Sequence, residues 1–448
     1  MRLRHYVSAA LIAVVAAGCS PDDLLEVDPN TIVPEESAIN DPQSARAAVL
    51  GLYDALQDGY YYGEQFLTFG DLSSDNAAHT GTFTTYADVD QNAVTSENTA
   101  IDGMWDAIYS SIARANSIIA RIPTVTFLEQ AEKDQMMAEA LFIRALGYHN
   151  LVKYFGGVPL RLEPVREPSE VSQLTRDDPA QVYAQILADL QQAQSLVKVN
   201  RAGLQVSLGA IRALCARVFL YQENWSGAET EANAVIAMGY ALASSYPSLF
   251  DAAGTATSED ILRVKFNTQD ANSISYYYMD KSLGGRRELG PTTSIRSAFE
   301  AADLRGQWSI RAATASRFYG AKYRSVSGTE HLHVIRLGEV LLIKAEAQAR
   351  LGKLADAITT INDLRTRAGI ATLSFGSGSL TTQAQVLDAI WRERRLELVF
   401  EGDRFPDLVR TGQAVSVLGL AGKEFQTLYP IPQQERDVSP TLDQNPGY

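Results

Sequence analysis

Apolar residues recur at helical spacing along most of this chain. Residues 41–57 place Ala45, Val49, Leu52 and Leu56 on one stripe, and Asp41 followed by Pro42 supplies a cap and a first helical position. Ile101, Trp105, Ile108, Ile112 and Ile119 lie three, four or seven residues apart and predict a helix over 101–121. A longer helix is predicted over 129–155, stopped by Gly156-Gly157 and Pro159. Asp177-Asp178-Pro179 opens another over 178–197. Residues 59–99, rich in Gly, Thr, Asn and aromatics, read as loop.

Two stretches read as helix pairs. In 207–239, Ala210, Leu214 and Ala216 precede the turn Asn224-Trp225-Ser226-Gly227, and Ala228, Ala232 and Val235 follow it. In 336–369, Leu337, Leu341, Ala345 and Ala349 lead to Leu351-Gly352-Lys353, then Ala355, Ala357, Ile358 and Ile361. That second unit spans 34 residues, the tetratricopeptide period, and a generic αα-hairpin would show the same pattern. Residues 241–330 differ: Ser, Thr, Gly and Tyr dominate, and only 261–266 looks strand-like. An irregular stretch this long inside a helical protein usually carries function. Residues 371–381 read as loop, 383–400 as the last helix, and 401–448, with five prolines, as mostly irregular. The expected fold is all-α: a tetratricopeptide-like superhelix with a loop-rich insertion at about 241–330 and a few short strands.

The first residues break this pattern. Arg2 and Arg4 precede an apolar run over 6–17, too short to span a bilayer comfortably, and Ala16-Ala17-Gly18-Cys19 follows. This resembles a lipobox, with Ala16 where Leu is usual. The predicted organisation is a signal peptide over 1–18, a tether over 19–36 lipidated at Cys19, and one body over 37–448 whose C-terminal region begins at about 331. Pro21, Pro29 and Pro34 make the tether extended, and Asp22-Asp23 resembles an export tag to the outer face of an outer membrane.

Composition narrows the function. The net charge is −14, and losing Arg2 and Arg4 with the leader makes it −16, so phosphate backbones are repelled and nucleic acid is not expected as a partner. With Cys19 acylated, Cys215 has no cysteine partner, and the body must be held by its core. No Gly-x-Ser-x-Gly elbow, phosphate loop, His-Glu-x-x-His or dinucleotide glycine pattern occurs. His331 and His333 read as a solvated pair before a metal site. Asp71, Asp75 and Asn76 lack the alternating acidic spacing of a calcium loop. No metal, cofactor or catalytic residue is predicted, although a carboxylate pair of the glycosidase kind is not something sequence alone excludes.

Four ordered stretches carry a family resemblance. Trp105, Tyr109, Ile112 and Asn116 form the first. Ala140, Arg144, Ala145, Tyr148 and Leu151 lead into Tyr154-Phe155-Gly156-Gly157-Val158-Pro159-Leu160. The third holds Glu393-Arg394-Arg395, Glu397-Leu398, Phe400-Glu401-Gly402, Arg404, Asp407-Leu408 and Arg410. The last is Tyr429-Pro430-Ile431-Pro432, Glu435 and Gln444-Asn445-Pro446-Gly447-Tyr448. Together they resemble the SusD/RagB-like outer-membrane nutrient-binding lipoproteins along nearly the whole mature chain. The charge-rich third stretch alternates acid and base at helical spacing, which suits a structural latch of ion pairs better than an active site.

The resemblance implies a surface lipoprotein that caps a SusC-like TonB-dependent transporter and hands it an oligosaccharide or, in some branches, a peptide. Its binding residues lie in variable loops, so candidates rest on chemistry: sugar rings stack on aromatic faces beside polar groups. Those candidates are Phe83 and Tyr86, Tyr277 and Tyr278 (with Tyr276), Trp308 with Arg311, and Tyr319, with Asp75 and Asn76 as polar partners. Tyr60-Tyr61-Tyr62 could face the transporter. The rival readings are a tetratricopeptide-type interaction scaffold on the outer membrane and a surface hydrolase.

Overall fold

The computed structural model describes residues 38–448 apart from 377 and 379. The leader, Cys19 and the tether lie outside the described residues. Helix α1 (Pro42–Leu56), α2 (Gln65–Leu72), strand β1 (Ala77–His79) and α3 (Thr84–Asp90) lead into α4 (Thr99–Arg121) and α5 (Gln130–Phe155). Then come α6 (Pro179–Leu196), α7 (Leu208–Tyr221) and α8 (Trp225–Ala237). The insertion holds β2 (Asp260–Val264), α9 (Ile274–Tyr278), β3 (Leu289–Pro291), α10 (Thr293–Ala298), α11 (Leu304–Ser309), β4 (Ile310–Ala312) and β5 (Phe318–Gly320). β6 (Leu332–Arg336) runs directly into α12 (Leu337–Arg350), followed by α13 (Leu354–Arg367) and α14 (Gln383–Glu397). Short helices α15 (Arg404–Arg410), α16 (Ala414–Leu418) and α17 (Gln433–Val438) close the chain.

The caps form where the sequence placed them. Asp41 accepts from the Ser44 N–H at 2.7 Å, and Asp178 accepts from Ala180 at 2.8 Å while Gln181 returns to the Asp178 N–H. Successive helices pack side by side: α4 on α5, α5 on α6, α7 on α8, α12 on α13, with α8 also against α12. This is the expected tetratricopeptide-like helical body. The strands form three antiparallel pairs, β1–β3, β2–β6 and β4–β5.

α5 is the central element. Every residue from Met136 to Phe155 is buried, charged ones included, so it shows no polar face. Arg144 therefore needs partners inside. It makes two 2.8 Å bonds to Asp189 of α6 and donates to the Asn116 side chain of α4 at 2.9 Å. Tyr109 and Tyr148 hydroxyls donate to the Pro159 and Arg161 carbonyls at 2.7 and 2.6 Å. The first two motif stretches are thus one device, which holds the chain leaving α5.

Residues 59–99 differ from the expected loop. They form α2, β1 and α3, and in α2 every residue but Gln65 is buried. Tyr61 and Tyr62 are buried as well, and only Tyr60 is exposed. α2 approaches the 400–402 turn so closely that a Cβ on Gly70 would lie 1.9 Å from the Gly402 carbonyl oxygen. Phe400 takes a left-handed φ of 62°, held by its N–H donating to buried Asp71 at 3.2 Å, with Gly402 donating to the same carboxyl at 2.9 Å. Burial pushes Asp71 up to about 7. The helix expected over 383–400 ends at Glu397, three residues short, and the stretch after it, expected to be mostly irregular, holds three short helices. His333 is not solvated: it is buried and bonded to Asp260 at 2.9 Å.

The charge-rich stretch is a buried ion-pair network. Glu397 meets Arg336 at 2.6 Å, Arg305 at 3.3 Å and also Arg367. Arg336 in turn meets Glu259 at 2.9 Å and Glu401 at 2.8 Å. Arg305 is completed by Asp303 and Glu393, and Glu401 also takes Lys322. Burial alone would raise Glu401, but Arg336 and Lys322 outweigh it and bring the carboxyl down to about 2.

Replacing Arg336 by Met leaves several carboxylates buried without their cation. We expect denaturant unfolding to show a loss of about 3–5 kcal/mol. Glu401 gives a pH signature. Its depressed folded-state pKa contributes stability that is present above the ordinary 4.5 and is lost as pH falls toward about 2. The stability gap between the native protein and E401Q should therefore be wide at about pH 6 and shrink steadily below about pH 4. A gap independent of pH would contradict this assignment.

Candidate functional site

A groove of about 830 Å³ opens on the insertion. A 3-10 turn over Tyr246–Phe250 buries Tyr246, Leu249 and Phe250 and leaves Ser245 and Ser248 outside. The lining includes Trp308, Arg324 and Phe250, with hydroxyls from Ser244, Ser248 and Thr257. Its lining thus combines an aromatic ring, a guanidinium, hydroxyls and the carboxyls of Asp251 and Glu330, groups suited to a polar ligand with flat apolar faces.

Trp308 stands near the end of α11, half-buried, and its indole N–H donates to the Lys322 carbonyl at 3.2 Å. The Arg324 guanidinium lies over the ring, 3.2 Å from its centroid. Backbone carbonyls hold Arg324 there, Ala321 at 3.0 Å and Trp308 at 3.1 Å. Both oxygens of buried Glu330 accept the Arg324 backbone N–H, at 2.7 and 2.9 Å. Burial raises Glu330. Asp251, also in the groove, accepts from Ala253 N–H and the Thr255 hydroxyl. Its carboxylates are thus committed to holding loops, which suits binding.

β4 and β5 continue from Trp308. Arg311 pairs with Tyr319 across the two strands, so their side chains share a face. Of the expected candidates, the fold therefore gathers Trp308, Arg311 and Tyr319 into one region. Arg324, which completes it, was not anticipated. Its only sequence signal was membership of the polar, aromatic insertion.

A second aromatic group forms elsewhere on the insertion. Phe83 lies 6.1 Å from Tyr277, and Tyr277 is 5.5 Å from the exposed Tyr276. Arg286 covers Phe83 at 3.9 Å and pairs with Glu288 at 2.8 Å. Glu288 also accepts the Thr82 and Phe83 N–H groups at 2.6 Å each. Phe83 and Tyr277 are half-buried.

Four expected contacts are used inside the protein instead. Tyr86 is buried and donates to Glu64 at 2.6 Å. Burial raises Glu64 to about 7. Tyr278 is buried against Phe400, ring centroids 4.7 Å apart. Asp75 pairs with Arg395 and Arg404, each at 2.8 Å. Buried Asn76 donates to Asp71 at 2.7 Å and accepts from Arg395 at 2.9 Å. With hydrogen-bond donors filling their oxygens, Asp71, Asp75 and Asn76 tie the end of α2 to α14 and the turn after it.

Among the described residues, no helix is long and apolar enough to cross a membrane. The family described as "SusD family" matches residues 304–426, and one described as "Starch-binding associating with outer membrane" matches 23–220. SusD-like protein P38 of Formosa agariphila is 24% identical over 99% of both chains, and SusD-like protein P2 of the same organism is 25% identical over 99% of this chain and 100% of its own. A SusD superfamily protein of Bacteroides vulgatus superposes with a TM-score of 0.83 at 23% identity, covering 91% of this chain and 99% of its own. A laminarin-binding SusD-like protein does so with a TM-score of 0.79 at 26% identity, covering 91% and 100%.

The two kinds of arrangement separate by stability. Asp75→Ala strands two arginines and should lower unfolding stability by about 2 kcal/mol in denaturant titration. Exposed Arg311, with no internal bond among the described residues, should tolerate R311Q within about 0.5 kcal/mol.

Proposed function

Since the chain belongs to the SusD/RagB-like family, we propose that it is a cell-surface lipoprotein, anchored through Cys19 to the outer face of the outer membrane. It captures an oligosaccharide and passes it to a TonB-dependent transporter. The observation that carries this reading is the Trp308–Arg324 contact in a groove lined also by Ser and Thr hydroxyls. An indole offers a pyranose the flat apolar contact it needs, and Ser and Thr hydroxyls both donate and accept toward sugar hydroxyls. The family description naming starch and the laminarin-binding relative support a saccharide over a peptide. Tyr319 and Arg311 extend the site, and Phe83 and Tyr277 with Tyr276 offer a further aromatic contact for a longer chain.

Capture needs no chemistry from the protein. Stacking contacts are individually weak, so a chain held by a few of them exchanges readily, as delivery to a partner requires. Acylation at Cys19 keeps the body beside the barrel.

The test is a glycan and peptide array followed by calorimetry on the mature body. Trp308→Ala should weaken the bound oligosaccharide about tenfold, about 1.4 kcal/mol, without changing the fold. Unchanged affinity removes Trp308 from the site. Failure of the native chain to copurify with an outer-membrane barrel removes the transporter from the reading.

A further inference from the structure

Residues 280–330 run against the charge of the chain. They hold nine Lys and Arg against five Asp and Glu, net +4, in a protein of net −14. Several of these cations are accounted for inside the protein. Arg305 and Lys322 are buried in the ion-pair network, Arg317 meets Asp280 at 2.7 Å, and Arg286 meets Glu288. Arg296, Arg311 and Arg324 are different: among the described residues, none has a carboxylate within 4 Å of its guanidinium nitrogens.

Two of those three sit at the proposed saccharide site. Arg324 stacks on Trp308 and spends its Nε and one Nη2 hydrogen on carbonyls, and its Nη1 group has no hydrogen-bond partner among the described residues. Arg311 is exposed on the face it shares with Tyr319, and its guanidinium makes no hydrogen bond among the described residues. Burial, then the neighbouring Arg311 cation, pull Arg324 below its ordinary value, and Tyr319 and Glu330 offset them only in part. Glu330 attracts Arg324 through its charge, but among the described residues neither it nor Asp251 makes an ion pair with Arg311 or Arg324, and their oxygens accept from loop N–H and hydroxyl groups.

We propose that the Trp308 groove selects an anionic saccharide, bearing uronate carboxylates or sulfate esters, with Arg311 and Arg324 receiving the acid groups while Trp308 and Tyr319 take the ring faces. This rests on the saccharide reading above and names its class. A guanidinium recognises both anions through paired N–H donors, so the two sources share one chemistry here. A stacked guanidinium can do so without leaving the indole, because its N–H bonds lie in the ring-parallel plane.

Calorimetry on the mature body with four probes tests this: oligogalacturonate, a sulfated galactan oligomer, a neutral laminari-oligosaccharide and an oligoglutamate peptide. At least one anionic saccharide should bind about tenfold or more tighter than the neutral one, with affinity falling as salt rises. R311Q, at a position without internal bonds, should weaken the anionic saccharide about fivefold or more and flatten its salt dependence. R324Q, which also gives up the Trp308 stack and two carbonyl bonds, should do the same at a temperature where its unfolding curve shows the fold intact. Tight, salt-independent binding of the neutral oligosaccharide, with none of the anionic ones, overturns the selectivity and leaves the saccharide reading standing. Oligoglutamate binding in place of every saccharide overturns both, as does binding of none of the four. Uronate without sulfate, or the reverse, supports the proposal and identifies the acid group.

Discussion

The structure depends on the environment of one carboxylate. Glu397, at the end of α14, is fully buried and faces Arg305, Arg336 and Arg367. Those cations come from α11, the end of β6 and the end of α13, and Glu259 and Glu401 complete their coordination from the start of β2 and the 400–402 turn. Desolvating so many charges returns little net stability compared with an apolar core. What it imposes is position, since any other arrangement of these segments would leave a charge buried without its partner.

That constraint reaches the groove through short tethers. Arg305 and Lys322 are both anchored in the network, and the groove residues Trp308 and Arg324 follow them by three and two positions. The Trp308 indole closes the loop by donating to the Lys322 carbonyl. An insertion with little regular secondary structure can therefore hold an indole and a guanidinium in face-to-face contact. The buried charges of the Glu393–Arg410 stretch thus supply the frame on which the loops of the groove are held.

The helical body was legible because its elements combine a stripe with a cap, as α1 and α6 do with Asp41-Pro42 and Asp178-Pro179. α2 was not, because a short helix buried on nearly all sides has no stripe to read. The same reason explains the aromatic errors. Tyr276, Tyr277 and Tyr278 are adjacent and chemically identical, yet one helical turn sends the first outward and the last into the core against Phe400. Asp75 and Asn76 looked like polar ligands because their partner, Arg395, lies some 320 positions away in the chain. Trp308 was legible as a loop aromatic, but Arg324 gains meaning only from a stack that folding creates.

The arginines of the insertion thus divide by what neutralises them. Where the chain needs rigidity, a guanidinium is buried and surrounded by carboxylates, as at Arg305. Where the groove opens, Arg324 is held by neutral carbonyls and an indole, which fix its orientation, and no carboxylate among the described residues pairs directly with its guanidinium. A lysine could do the first with difficulty and the second not at all, since an ammonium has no plane to stack and no second edge to offer. Placing a cation this way in a protein of net charge −14 forgoes the carboxylate neighbours that the rest of the surface would readily supply. The compensating negative charge is then left to the ligand, so that binding it removes the repulsion between Arg311 and Arg324 as well as forming new bonds.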